Sequence, residues 1–187
     1  MKKLIFLSCI VMAAAGCNNG TPKDAAATAK DSAEVAAAAP AAKLDYAYTL
    51  PKPYQNWQAG DQKHAVTVLK AIKDYETGNI AACAAAFSDS TELRFDHYHA
   101  KLSMDSLKKM FTQWRGDYTS MKIEMQDWEP VISSDKKEEW VTVWYKQSWV
   151  DKKGKADSMG VVDDFKMVNG KIAILDEKIQ HYPAAKK

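Results

Sequence analysis

The spacing of hydrophobic positions changes once along this chain, from a helical period to a strand period. From Asp61 the residues Ala65, Val68, Leu69, Ile72 and Tyr75 recur at three and four, one face of an amphipathic helix that Gly78 closes as a left-handed cap. A second, short helix follows, capped by Asn79, with Ile80, Cys83, Ala84 and Phe87 on its inner face. Thr91 to Asp96 reads as a strand, Leu93 and Phe95 on one side and Glu92, Arg94 and Asp96 on the other. The third helix is the best marked. Ser103 caps it, Asp105 sits in its first turn, Leu102 and Leu107 form a staple, and Met104, Leu107, Met110, Phe111 and Trp114 run on to Gly116.

Beyond Gly116 the period becomes two. Met121, Ile123 and Met125 alternate with Lys122, Glu124 and Gln126. Val141, Val143, Tyr145, Gln147 and Trp149 likewise alternate with Trp140, Thr142, Trp144, Lys146 and Ser148. Asp135-Lys136-Lys137, Lys152-Lys153-Gly154 and the hairpin dipeptide Asn169-Gly170 separate four strands, an antiparallel meander over about 120–181. The predicted class is α+β: three N-terminal helices packed on one face of a strongly curved antiparallel sheet, in the order α-α-β-α-β-β-β-β. Trp140, Trp144 and Trp149 do not share one strand face, so both faces meet apolar surface. One face covers the helices, and the other is available for a homodimer through the sheet.

The N-terminus carries a different kind of signal. Met1-Lys2-Lys3, an apolar run from Leu4 to Ala15 and the small residues Ala14-Ala15-Gly16 precede Cys17 and the polar Asn18-Asn19-Gly20. The run is shorter than the roughly 18 residues that cross a bilayer. It has the build of an export signal: basic end inside, apolar segment in the translocon, small residues at the peptidase. Small residues ending in Cys resemble the lipobox of bacterial lipoproteins. That resemblance implies cleavage after residue 16, diacylglycerol on Cys17, and a membrane attachment through this lipid alone; Asn18 at the next position favours the outer membrane, facing the periplasm. Cys9 leaves with the signal and Cys17 carries lipid, so Cys83 remains alone and reads as a small buried core residue.

Residues 25–42 are Ala at eleven of eighteen positions, interrupted by Lys30, Asp31, Glu34 and Pro40. Such a stretch has helix propensity but no apolar stripe wide enough to pack. Residues 17–56 are therefore expected to be a tether, stiffened by Pro51 and Pro53, with an r.m.s. reach of roughly 35 Å. The folded domain is expected over 57–182, with 183–187 as a tail. Lys2 and Lys3 supply the whole formal charge of +2, so the remaining chain is neutral and has no electrostatic basis for nucleic-acid binding.

The strings "YETGNIAACAAAFSDSTELRFD" and "VVDDFKMVNGKIAILDEKI", in this order of elements, resemble the nuclear transport factor 2 superfamily and its SnoaL-like branch over about 57–182. The resemblance implies a cone-shaped fold that hosts isomerases, cyclases, dehydratases, hydrolases and binding modules. The superfamily's steroid isomerases use a Tyr on the first helix, an Asp base on the first strand and a second Asp on a late strand. Alignment on Gly78 puts Ala71 at the Tyr position and Phe95 at the base position, neither capable of the chemistry; a one-residue bulge would bring in Asp96. The late position is matched by Asp163, whose counterpart is a protonated acid that donates a hydrogen bond.

Asp163 shares a strand face with Phe165 and Met167, so it is expected to point inward as the polar floor of an apolar pocket, while Asp164 points outward. Tyr75, Phe95, Trp114, Trp144, Phe165 and Ile179 are candidate pocket wall, though aromatic residues at helix and strand spacing are more often core. His97-Tyr98-His99 projects two imidazoles to one side, but further ligands are lacking, so it reads as a polar loop at the pocket mouth where both histidines meet a ligand, with no metal. No phosphate loop, nucleophile elbow or paired catalytic carboxylates stand out, and no cofactor is expected. Three functions remain: a binding domain for a small apolar or amphipathic molecule without turnover, an isomerase, cyclase or hydrolase with Asp163 and Asp96 or His97 as acid and base, and a docking module with a filled cone. A pocket of roughly 300 Å³ or more lined by Asp163 separates the first two from the third.

Overall fold

The computed structural model describes residues 45–182 except Pro53 and Gln55. The expected signal peptide, Cys17, the tether as far as residue 44 and the tail at 183–187 lie outside the described residues. Among the described residues no helix is long and apolar enough to cross a membrane.

In chain order the elements are β1 (Gln58–Ala59), α1 (Gln62–Glu76), α2 (Ile80–Ala85), β2 (Phe87–Phe95), β3 (Tyr98–Ser103), α3 (Met104–Gly116), β4 (Tyr118–Ile132), β5 (Glu139–Asp151), β6 (Ala156–Val168) and β7 (Lys171–His181). Each helix starts where a polar side chain relieves its first free N–H groups. Asp61 accepts from the Lys63 amide at 2.9 Å, Asn79 from Ala82 at 3.4 Å and Ser103 from Ser106 at 3.4 Å. Gly78, just past α1, has φ +82°, a backbone that favours glycine. The Asn169-Gly170 turn takes φ +51° and +75°, the type I′ sign pattern that matches strand twist.

The strands form one seven-stranded sheet in the order β1-β4-β5-β6-β7-β2-β3. β4 to β7 are the expected meander, running from Tyr118 to His181. The remainder corrects the sequence reading. The sheet is mixed rather than antiparallel throughout, because β2 lies parallel to β7, pairing Leu93 with Leu175 and Arg94 with Asp176. The early strand begins at Phe87, not Thr91, and a bulge between Phe87 and Glu92 absorbs the extra length. The residues after His97 form a strand, not a loop: Tyr98, Ala100 and Leu102 turn inward and alternate with exposed His99, Lys101 and Ser103.

Helices cover the inner face of this sheet. Val68, Ala71 and Ile72 of α1, Cys83 and Ala84 of α2, and Leu107 and Phe111 of α3 are buried with Val141 and Val143 of β5 and Val161 and Phe165 of β6. Arg115 on α3 fastens α1 in place. Its guanidinium donates to the carbonyl oxygens of Tyr75 and Glu76, at the end of α1, and to that of Tyr118. Near the sheet edge the Glu76 carboxylate accepts from the Ile123 amide of β4 at 3.2 Å. These contacts tie the C-terminal end of α1 to α3 and β4, beside an open space lined by Tyr75, Trp114 and Ile123.

Candidate functional site

That space is a cavity of about 750 Å³. β6 sets its polar centre by strand alternation: Val161, Asp163, Phe165 and Met167 all face inward and all are buried. Asp163 is 3% exposed, and its Oδ2 accepts a hydrogen bond of 2.7 Å from the Tyr145 hydroxyl on the neighbouring β5. Its Oδ1 has no partner. Burial first, then the charge of Glu177, push the Asp163 carboxyl well above the ordinary range, against the lowering effect of the Tyr145 bond. Asp163 is therefore a buried acid biased toward its protonated form, with one oxygen tied to Tyr145 and the other without a hydrogen-bond partner among the described residues. Asp164 faces out, bonded to Thr142 and paired with Lys178 at 2.6 Å.

Glu177 was not among the residues singled out by the sequence. It stands on β7 directly across the ladder from Asp163 and lines the same cavity. Burial and the charge of Asp96 raise its carboxyl to about 7, and no hydrogen bond offsets them. Two carboxyl groups thus share one wall, although no carboxylate pair stands out in the sequence. Asp96 and His97, in the tight β2–β3 turn, are exposed and border the cavity.

Tyr75, Phe95, Trp114, Phe165 and Ile179 also line it. Phe95, Tyr98 and Trp114 pack on one another with ring centroids 5.5 to 6.2 Å apart, forming an aromatic wall beside Asp96. Two candidates lie elsewhere. Trp144 has the opposite strand parity to Tyr145 and stands on the outer sheet face, across from Val162. His99, as an outward residue of β3, contacts Glu92 at 2.6 Å instead of the cavity. Arg94 and then His99 hold the Glu92 carboxyl down at about 2. Ala71, at the position where the isomerases carry Tyr, lines the cavity with a methyl group.

Cys83 is buried against the cavity, and burial pushes its thiol up to about 12. Among the described residues no group of three or more His, Cys, Asp or Glu is placed to hold a metal ion. What the wall offers is a buried acid with one oxygen unpartnered, a second carboxyl raised to about 7, and a large aromatic surface.

Solved structures share this fold, among them the following three. An NTF2-like protein of unknown function from Exiguobacterium sp. 255-15 is 13% identical over 61% of this chain and 98% of its own, with a TM-score of 0.51. The fold is that of the nuclear transport factor 2-like superfamily. AusH from Aspergillus nidulans superposes on this cone with a TM-score of 0.53 at 15% identity, covering 66% of this chain and 87% of that one. A SnoaL-like polyketide cyclase from Jannaschia sp. CCS1 gives a TM-score of 0.52 at 9% identity, covering 64% and 86%. At these identities the likeness speaks for the cone alone. No protein-family model matches the chain, and no curated protein does.

Proposed function

We propose that the cone binds one small, largely apolar molecule bearing a polar group, and that lipid on Cys17 holds the domain at the cell envelope. The observation that carries this reading is the unpartnered Oδ1 of a buried acid in a cavity of about 750 Å³. A buried polar atom without a partner costs roughly 1–3 kcal/mol, a cost that a ligand acceptor or donor seated beside it would remove. The volume lies within the range of small-molecule sites, roughly 300–1,000 Å³. Ala71 and Phe95 at two of the isomerase positions support holding over turnover.

A second reading, proton-transfer catalysis, draws support from Asp163 and Glu177 facing each other across the ladder. A neutral acid beside a carboxyl that ionises near pH 7 is a donor and an acceptor within one wall. Native mass spectrometry of the protein taken from its own envelope tests the first reading: a co-purifying small molecule is expected, and a clean apo mass with no uptake of apolar probes would overturn it. Loss of turnover with retained binding in Asp163→Asn would move the assignment to catalysis.

A further inference from the structure

We infer that the ligand of this cavity is an organic cation: an amphipathic amine or quaternary ammonium whose charged head sits between Glu177, Asp96 and the aromatic wall. This deepens the binding reading above and rests on it. Among the described residues three carboxyl groups, Asp96, Asp163 and Glu177, line the cavity, and no lysine or arginine does. Nearby cations are committed elsewhere, Arg94 to Glu92 and Asp176. Lys178 pairs with Asp164 and Asp176 on the outer face, and Arg115 is bonded to three backbone carbonyls.

An anionic ligand would face three carboxyl groups, with the imidazoles of His97 and His181 as the basic side chains that the described lining offers. A neutral one would leave the Glu177 carboxylate desolvated and unpaired, the state that the protein already avoids by holding its proton to about pH 7. A cation resolves both problems and also finds the faces of aromatic rings. Phe95, Tyr98 and Trp114 form one continuous surface next to Asp96. Such rings attract ammonium groups through their quadrupole, more strongly where water is excluded. The site is more than a cluster of acids, because Asp163 is 97% removed from solvent and still presents a free Oδ1. Asp163 meets a polar atom of the ligand through its unpartnered Oδ1, while Glu177 carries the charge.

The test is calorimetry on the full-length protein in uncharged maltoside micelles, which carry no ammonium group, with empty micelles as the blank. Three probes share one skeleton: 4-phenylbutylamine, 4-phenylbutanol and 4-phenylbutyrate. The amine is expected to bind at least about fivefold more tightly than the alcohol, the factor a single cation–π contact supplies, and the acid most weakly. Glu177→Gln is expected to erase most of the amine's lead over the alcohol. Asp96→Asn, at an exposed turn position, is expected to reduce that lead in part.

Affinity for the amine is expected to rise from pH 6 to 8 as Glu177 ionises. The groups facing Glu177 are Asp163 of β6, Tyr145 and Gln147 of β5, Tyr75 of α1, Tyr118 of β4, His181 of β7, and Asp96 and His97 of the turn. Because two of these are imidazoles, the pH series is repeated on Glu177→Gln, where the rise should flatten. An alcohol that binds as well as the amine overturns the cation assignment and leaves the pocket reading standing. Failure of all three probes overturns both.

Discussion

Glu177 lies directly across the β6–β7 ladder from Asp163, so two carboxyl groups share a cavity wall that contributes neither lysine nor arginine. Like charges in so dry a place cannot both ionise freely, and the fold responds by keeping protons on them. The pair therefore behaves as one titrating unit whose state a ligand can set.

Stability should fall as pH rises. Both folded-state values are raised above those of the unfolded chain, so between roughly pH 4 and the folded values the native state binds more protons than the unfolded state. The slope of stability against pH is then negative. For Glu177 the loss between pH 5 and 8 is on the order of 2 kcal/mol after allowance for its open side. Urea unfolding at both pH values measures it, and Glu177→Gln should recover most of the difference at pH 8. A parent protein equally stable at both would refute the buried-acid pair.

Tyr145→Phe removes the partner of Asp163 Oδ2 and leaves both carboxyl oxygens bare. The expected cost is about 1–3 kcal/mol in chemical denaturation at pH 7. The Asp163 titration should also move further upward, since the Tyr145 bond lowers it. The infrared carbonyl band of a protonated carboxyl, assigned by its loss in Asp163→Asn, reports this directly. Unchanged stability together with an unchanged band would show that the bond does not matter.

Cys83 should be silent toward thiol reagents in the native state. Its thiol is buried and pushed up to about 12, so the reactive thiolate is scarce at neutral pH. Labelling with iodoacetamide at pH 7.5 is expected only on addition of denaturant. Fast labelling of the folded protein would mean that the cavity wall opens.

Cys17→Ser should abolish incorporation of labelled fatty acid and prevent cleavage of the leader, because both steps of lipoprotein maturation act at that residue. Metabolic labelling and the mass of the mature chain give the readout. An unmodified Cys17 in the parent would end the lipid-anchor proposal.

Much of the framework is local and so could be read from residues in order. Asp61, Asn79 and Ser103 are short polar side chains before apolar periodic runs, and all three cap helices as expected. Alternation turned Asp163 inward with Phe165 and Asp164 outward. The same alternation was present in Tyr98, Ala100 and Leu102, but His97 before them and His99 and Lys101 between them gave the segment the look of a polar loop, whereas it is β3. Trp144 was a matter of parity as well. An aromatic residue out of phase with Tyr145 belongs to the opposite face however hydrophobic it is.

The sequence by itself determined the helices, the meander, the inward acid and the neutral charge balance, because each depends on neighbours a few residues apart. Tertiary structure alone decided the site. Counting back from the Asn169-Gly170 turn, with Val168 opposite Lys171 and Met167 opposite Ile172, sets Asp163 against Asp176. A one-residue shift between Lys166 and Met167 puts Glu177 there instead. One bulge thus exchanged a solvated acid for a cavity-lining one, and the parallel seam between β2 and β7 brought Asp96 to the same cavity. Register and strand order are set by packing across the whole sheet, and no window of the sequence holds that information.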